Sequence, residues 1–192
     1  MAEEDIITGG VEAFKRLLDF EYKITLGRKG QLKTITLSFS KSNFHHLAGL
    51  HYLKDRPMLN GKSEKVFNKI DAREIKPEKI MSSAYFTDIS SRLLVLANLE
   101  RILDGDFYFY DYDQRRNRFS NIKANYVIKA FTEYGEIYFF LADDADKHLN
   151  STVSGCSIIL NSSMDYTLNQ SRYAVLSVSK IMAVRNRAII KS

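Results

Sequence analysis

The sequence contains few of the residues that build covalent or flexible architecture. Among 192 residues it has one cysteine, two prolines, nine glycines and no tryptophan. The single Cys156 excludes an internal disulfide and any multi-cysteine zinc or iron–sulfur site, which fits a reducing cytoplasm. No run approaches the roughly 18 uninterrupted apolar residues that a membrane-spanning helix needs, and the acidic first residues are unlike a signal peptide. We therefore expect a cytoplasmic protein that does not enter a membrane.

Several catalytic signatures are also missing. The chain has no glycine-rich phosphate loop ending in Lys-Ser or Lys-Thr, no Gly-x-Gly-x-x-Gly and no Gly-x-Ser-x-Gly. Nucleotide hydrolysis and dinucleotide binding therefore lose their usual sequence signatures. Cys156 lies in an apolar strand pattern, where a thiol is usually packed and unreactive.

The composition is that of an ordinary folded protein, with 45% hydrophobic and 27% charged residues. A chain of this length fits one domain, so we expect a single domain over residues 1–192. The 28 basic and 23 acidic residues give a net charge of +5. This surplus permits an anionic partner, of which nucleic acid is the commonest, although it is also compatible with an ordinary surface.

Apolar periodicity predicts helices early in the chain and strands late. Helical spacing covers residues 6–18, 44–53, 63–71 and 77–83, and a last helix starts at residue 83 or 87 and runs to residue 103. A β-hairpin is predicted at 20–26 and 32–39, and further strands at 107–112, 122–131, 137–142, 153–160 and 173–181. Short connections pair strands antiparallel, since parallel neighbours need a crossover of a dozen or more residues. We expect an α+β fold with N-terminal helices and a β-hairpin, followed by an antiparallel sheet of about four to five strands.

Three of the four histidines, His45, His46 and His51, fall in one predicted helix. A helical zinc pair needs two histidines about four residues apart, so that both point to one side. At about 100° per residue, His46 and His51 diverge by roughly 140° and His45 and His46 by roughly 100°. The spacing therefore predicts no metal site.

The same projection separates the three side chains. His46 lies near the centre of the apolar face formed by Leu47, Leu50 and Leu53, and His45 lies on the opposite side. His46 is thus expected to point inward. It is either a core histidine with a hydrogen-bond partner, or an imidazole that enters a cleft and acts as acid, base or phosphate donor.

A second polar region follows the next-to-last predicted strand. Residues 161–172 are rich in serine, asparagine and other polar side chains, which is typical of a solvated loop. In the final strand Arg172 and Lys180 share a face and bracket an apolar strip. These two cations could cover that strip with their stems, or they could hold an anionic backbone.

The segment Phe-His-His-Leu-Ala-Gly-Leu at residues 44–50 resembles the F-x-H-L-x-G-L signature of a phage and mobile-element family. This family is the fourth subfamily of the barnase–EndoU–colicin nuclease–RelE-like (PBECR) domains. The order of parts is similar too, through Ile-Lys-Ala-Asn-Tyr at 122–126 and a closing segment with Tyr166 and Gln170. The resemblance covers about residues 10–182. Asn125 departs from it, because an acidic residue is expected there.

The resemblance implies a metal-independent endoribonuclease on a small antiparallel sheet, with RNA as partner and no cofactor. In this chemistry the ribose 2′-hydroxyl attacks the adjacent phosphate, so the protein supplies a base, an acid and cations. It implies His46 as general acid or base, and Tyr166 and Gln170 as hydrogen-bonding or proton-transfer partners. Tyr166 could instead stack on a base. The phosphate contacts it implies are Lys123, Arg172 and Lys180.

Two other interpretations stay open at this point. The chain could be a catalytically inactive nuclease-fold protein that binds nucleic acid, an immunity partner or a host-defence protein. It could also be a self-associating scaffold, because aromatic residues are dense at 108–112 and 138–140 and a large exposed apolar patch would mark an interface. The sequence does not indicate an oligomeric state.

Overall fold

A computed structural model describes residues 3–143 and 152–183. It contains five α-helices within those ranges: α1 (Glu3–Leu17), α2 (Lys41–Leu47), α3 (Ser63–Asp71), α4 (Pro77–Met81) and α5 (Thr87–Asp104). The helices predicted at 6–18, 63–71 and 77–83 are confirmed, and the last predicted helix begins at the later of its two possible starts, residue 87. The helix predicted over 44–53 is wrong in length, because α2 ends at Leu47 and a separate 3-10 turn follows at Leu50–Tyr52. None of the described helices combines the length and apolar character needed to cross a membrane.

Seven strands are present in the same ranges. They are β1 (Phe20–Arg28), β2 (Gln31–Ser38), β3 (Tyr108–Asp111), β4 (Tyr126–Thr132), β5 (Gly135–Asp143), β6 (Thr152–Leu160) and β7 (Arg172–Met182). All seven join in one closed barrel in the order β1-β2-β6-β5-β4-β3-β7. The strands themselves were expected, but the open antiparallel sheet of four to five strands is wrong.

The hairpin closes the barrel. Strand β1 pairs antiparallel with β7 from Phe20 opposite Met182 to Gly27 opposite Ala174. Strand β2 joins β6 by a short parallel register, with Thr36 opposite Thr152. The long chain between β2 and β6 allows this parallel contact, and closure removes the unpaired backbone groups that an open sheet leaves at its two edges.

Most helices pack against one face of the barrel strands. The largest cluster of buried side chains combines Phe14, Phe44 and Phe67 of the helices with strand residues such as Ile128 and Phe139. Rings of Phe14, Phe44 and Phe67 contact one another edge to face, with centroids 5.1–5.9 Å apart. These contacts hold α2 against the rest of the helical layer.

The aromatic residues that suggested a scaffold are mostly buried. Alternate residues of β4 and β5 face away from the main cluster, and a second cluster there contains Tyr112, Val127, Tyr138 and Phe140. Residues on both sides of the strands are therefore used for packing. Tyr108 is the exception, since 39% of its surface is exposed. The aromatic density thus gives no large apolar patch that would support self-association.

Candidate active site

The histidine segment folds as two short pieces joined at a glycine. Ser40 caps α2, and its backbone N–H donates to Asn43 Oδ1 at 2.7 Å. The helix stops because Gly49 adopts a left-handed conformation with φ +73°, which few residues other than glycine accept. The 3-10 turn that follows redirects His51. The angular projection of one continuous helix over residues 44–53 therefore does not apply.

The expected faces of His45 and His46 are reversed as a result. His45 is the buried histidine, with 8% of its surface exposed, whereas His46 and His51 are exposed to solvent. The interpretation as a core histidine thus fits His45, and His46 is accessible to a ligand. The expectation that His46 points inward is wrong.

The chain reversal at Gly49 also brings the three imidazoles together. Ring centroids lie 5.6 Å apart for His45 and His46, 5.3 Å for His46 and His51, and 6.1 Å for His45 and His51. One ring nitrogen from each histidine lies within 4.8 Å of those of the other two. The predicted divergence of these side chains is therefore wrong. We call His45, His46 and His51 the histidine cluster.

Burial and neighbouring charge act on two members of the cluster. Burial lowers the pKa of His45, although the backbone carbonyl of Leu59 partly opposes the effect. Although the His51 side chain is exposed, neighbouring residues partly desolvate its ring and thereby lower its pKa, and the nearby His46, His45 and Arg92 lower it further. Both rings are thus held toward the neutral form, in which an imidazole can accept a proton.

Arg92 of α5 lies beside the cluster. Its guanidinium lies 5.1 Å from the centroid of the Tyr52 ring, which itself is 4.1 Å from the His51 ring. Its Nη1 lies 3.5 Å from Ser157 Oγ on β6. Arg92 makes no ion pair with any carboxylate in residues 3–143 or 152–183, and burial lowers its pKa. A partly buried guanidinium without a carboxylate is suited to an anionic ligand such as a phosphate.

The closing segment places Tyr166 near this arginine. The Tyr166 oxygen interacts electrostatically with Arg92, and its ring packs on Tyr138 and Phe140 with centroids 5.1 and 5.2 Å apart. Asn117 fixes the position by donating from Nδ2 to the Tyr166 carbonyl at 2.8 Å. Tyr166 is thus within electrostatic range of Arg92, and its ring is held by packing.

Gln170 has a different place. Its Oε1 accepts the Asp113 backbone N–H at 3.0 Å and its Nε2 donates to the Asp113 carbonyl at 3.1 Å. This side chain clamps the closing segment to the start of the loop after β3, and both of its polar groups are used there. The structure does not bring Gln170 to the histidines.

The three predicted phosphate contacts are dispersed. Lys180 pairs with Glu100 at 2.5 Å, and Asp104 also lies 3.4 Å from its amine. Arg172 stacks over the Tyr108 ring at 4.3 Å and lines a cleft of about 600 Å³ with Phe131 and Tyr173. Lys123 is exposed, and its carbonyl accepts from the thiol of Cys156 at 3.7 Å.

Packing and backbone contacts account for Cys156 and Asn125. Burial raises the pKa of Cys156 to about 11, so its thiol stays protonated and unreactive. Asn125, which departs from the family pattern, accepts the Asp143 backbone N–H at 3.0 Å. Neither residue adds a reactive group to the histidine cluster.

Sequence reasoning missed Arg92 and the role of His51. Arg92 lies on the leucine-rich helix and carries no motif, so no local signal distinguishes it from other helical cations. The signal for His51 was Gly49, since a glycine inside an apolar helical pattern often ends a helix. In a helix that ends before Gly49, the angle per residue no longer relates His51 to His45 and His46, so the three side chains can converge.

Gly49 should be a sensitive position because it faces α5 closely. A Cβ there would lie 2.8 Å from Arg92 Cδ and 3.0 Å from Ile89 Cγ2. Gly30 offers a matched control, since its φ of +75° is nearly the same and no atom lies within 4 Å of its Cβ position. We expect Gly30→Ala to cost about 1 kcal/mol of unfolding free energy, which is the cost of the backbone conformation alone.

Gly49→Ala should cost at least about 1 kcal/mol more, because α5 or the Arg92 side chain must move. Urea unfolding of the two variants and the parent protein measures both values. Equal losses at Gly30 and Gly49 would show that the approach of α5 to this turn is not constrained.

The site combines two accessible imidazoles, a partly buried guanidinium and a nearby tyrosine. Such groups can exchange protons with a substrate and stabilise negative charge, which are the requirements for cleaving a phosphodiester. The set lies where α2, the following turn, α5 and β6 meet. Of the predicted site residues, His46 lies in this region, and Tyr166 is within electrostatic range of Arg92.

Comparisons with known proteins place the chain in a family. No curated protein and no solved structure gives a significant match. A family model described as phage-Barnase-EndoU-ColicinE5/D-RelE like nuclease4 (PBECR4) matches residues 6–188, nearly the whole chain. The chain therefore belongs to the PBECR4 family of phage nuclease-like proteins.

Proposed function

We propose that the protein is a metal-independent endoribonuclease that cleaves RNA through attack of the ribose 2′-hydroxyl on the adjacent phosphate. The observation that carries the proposal is the grouping of exposed His46 and His51 with Arg92, a cation that has no carboxylate partner in the described chain. Membership of a nuclease family supplies the reaction class. The proposal concerns the substrate and the mechanism, which family membership does not specify.

The geometry supports an acid–base pair. The proton of the 2′-hydroxyl passes to one imidazole while the 2′-oxygen forms a bond to phosphorus. The bond from phosphorus to the 5′-oxygen then breaks, and the second imidazole protonates that oxygen. We assign His46 as the acid and His51 as the base, since the lowered pKa of His51 favours its neutral form. The products are a 2′,3′-cyclic phosphate and a 5′-hydroxyl.

Other residues support this reaction without exchanging the transferred protons. Arg92 stabilises the charge that develops on the phosphate oxygens. Tyr166 lies near Arg92, where its hydroxyl can bond a phosphate oxygen or its ring can stack on a base. Gln170 acts through position, because its amide holds the segment that carries Tyr166.

The predicted cations extend the contact surface for RNA. Arg172, Tyr108 and Phe131 line a cleft in which aromatic side chains are exposed, an arrangement that favours single-stranded nucleic acid. Lys123 is exposed and free to contact a phosphate backbone, whereas Lys180 is paired with Glu100. We expect Arg172 and Lys123 to contribute to affinity more than Lys180.

One experiment tests the proposal directly. The purified protein in EDTA is incubated with a single-stranded RNA, with DNA of the same sequence, and with that DNA carrying one ribonucleotide. We expect cleavage of the RNA, no cleavage of the DNA, and a single cut after the ribonucleotide that leaves a 2′,3′-cyclic phosphate. Cleavage of the all-DNA strand, or fragments ending in a 3′-hydroxyl, would contradict attack by a 2′-hydroxyl.

The aromatic cleft also favours a second candidate function, which is binding without turnover. A nuclease-fold protein that holds nucleic acid, or that binds an immunity or host-defence protein, needs exposed stacking surfaces but no acid–base pair. In the same experiment, uncleaved RNA that migrates with the protein would support this function over catalysis.

A further inference from the structure

His45 has one ring nitrogen that is buried without a partner. Its Nε2 lies 3.0 Å from the Leu59 carbonyl oxygen, which can only accept, so Nε2 carries the hydrogen and donates. In the neutral ring Nδ1 then holds a lone pair. This atom is buried and has no hydrogen-bond partner. An unpartnered buried acceptor is unfavourable, so its retention needs an explanation.

The hydrogen bond from His45 Nε2 to the Leu59 carbonyl is typical of a metal-bound histidine. Such a histidine usually donates its other ring N–H to a carbonyl or carboxylate, which fixes the tautomer and the ring orientation. The Leu59 carbonyl supplies such an oxygen for His45.

The three rings are close to the spacing that a metal requires. Zinc binds histidine nitrogen at 2.0–2.1 Å in a tetrahedron, which places the ligand nitrogens about 3.3 Å apart. One ring nitrogen of each histidine lies within 4.8 Å of those of the other two. Because His46 and His51 are exposed, rotations of their side chains can close the difference without disturbing the core.

We propose that His45 Nδ1, His46 and His51 form a binding site for a divalent transition metal ion of the zinc class, and that the bound ion inhibits the enzyme. The inhibitory part rests on the proposed function, because the ion occupies the two imidazoles that would exchange protons with RNA. Metal binding itself does not depend on that function.

The ligand set selects the class of ion. All three ligands are imidazole nitrogens, which suit zinc, copper and nickel, whereas magnesium and calcium require oxygen ligands. The three histidines leave a fourth position open for water or an anion. Arg92 lies close to His51 and favours an anion at that position.

Calorimetry tests the site without any RNA. The protein is freed of metal with EDTA and dialysed. One sample is titrated with zinc chloride in the calorimeter, and a second is titrated with cobalt chloride while its visible spectrum is recorded. We expect one zinc ion per chain and the visible absorption of four-coordinate cobalt. The alanine variants at His46 and His51, both exposed, should fold and bind zinc at least about 10-fold more weakly, while Asn60→Ala should bind like the parent.

The outcomes separate the site from its effect. No saturable heat with micromolar zinc, or unchanged affinity in both histidine variants, would overturn the site. With the site present, zinc should abolish RNA cleavage and EDTA should restore it, and undiminished cleavage by the zinc-loaded protein would overturn the inhibitory part. If the metal-free protein cleaves no RNA, the proposed function fails, and calorimetry still decides whether the metal site exists.

Discussion

His46→Ala is expected to lower the rate of RNA cleavage by about 10²- to 10⁴-fold, the contribution of a positioned general acid or base. The side chain is exposed, so the free energy of unfolding should change by no more than about 0.5 kcal/mol. The decisive readout is the rate at which 2′,3′-cyclic phosphate ends accumulate in EDTA, measured beside urea unfolding of the same preparation.

His46→Gln separates proton transfer from binding. Glutamine keeps a polar group of similar size that can bond a phosphate, but it cannot exchange a proton at neutral pH. If His46 is the acid, the glutamine variant should be as slow as the alanine variant while it retains affinity for RNA. A glutamine variant with nearly full activity would mean that His46 only binds, and the assignment of the acid would then pass to another residue.

Much of the local structure was predictable from the sequence. The boundaries of α3 and the hairpin and the end of α5 follow from apolar spacing and from the glycine at the turn, which are signals contained in neighbouring residues. Alternation along β2 likewise places Ile35 and Leu37 on one face, and both are buried. These elements were predicted because local periodicity and packing agree.

The barrel was not predictable in the same way. Whether β1 pairs with β7 depends on two segments about 150 residues apart, and each of them reads equally well as an edge strand or an internal strand. The parallel contact of β2 and β6 consists of two residue pairs and leaves no pattern in the sequence of either strand. Pairing over such separations follows from the packing of the whole chain.

In the candidate site, too, the motif was visible in the sequence, whereas the arrangement of its side chains depends on the fold. His46 was selected through its motif, but its environment was inferred from a helix that does not continue past Leu47. The left-handed residue Gly49 ends α2, and the turn that follows carries His51 next to His46. Within α2, His45 rather than His46 is the buried histidine. Side-chain convergence thus depended on one backbone angle, and Arg92 joined the site through the tertiary packing of α5.

Arg92→Met should lower activity and leave the fold intact or more stable. Loss of a guanidinium that stabilises developing charge should slow cleavage by about 10²- to 10³-fold. Methionine keeps most of the apolar stem, and the exchange removes a partly buried charge that has no carboxylate partner in the described residues, so the melting temperature should stay the same or rise. Single-turnover cleavage rates and thermal unfolding measure the two effects.

Arg101→Met is the matched control, because Arg101 lies on the same helix but is exposed and pairs with Glu133 at 2.7 Å. This exchange should leave cleavage unchanged and alter stability by less than about 1 kcal/mol, the usual range for a surface ion pair. If the charge of Arg92 is retained for a ligand, Arg92→Met should cleave RNA more slowly while its stability stays the same or rises. Arg101→Met should show neither change. A large loss of stability in Arg92→Met would instead mean that the contacts with Tyr52 and Ser157 are structural, and the phosphate site would lose its cation.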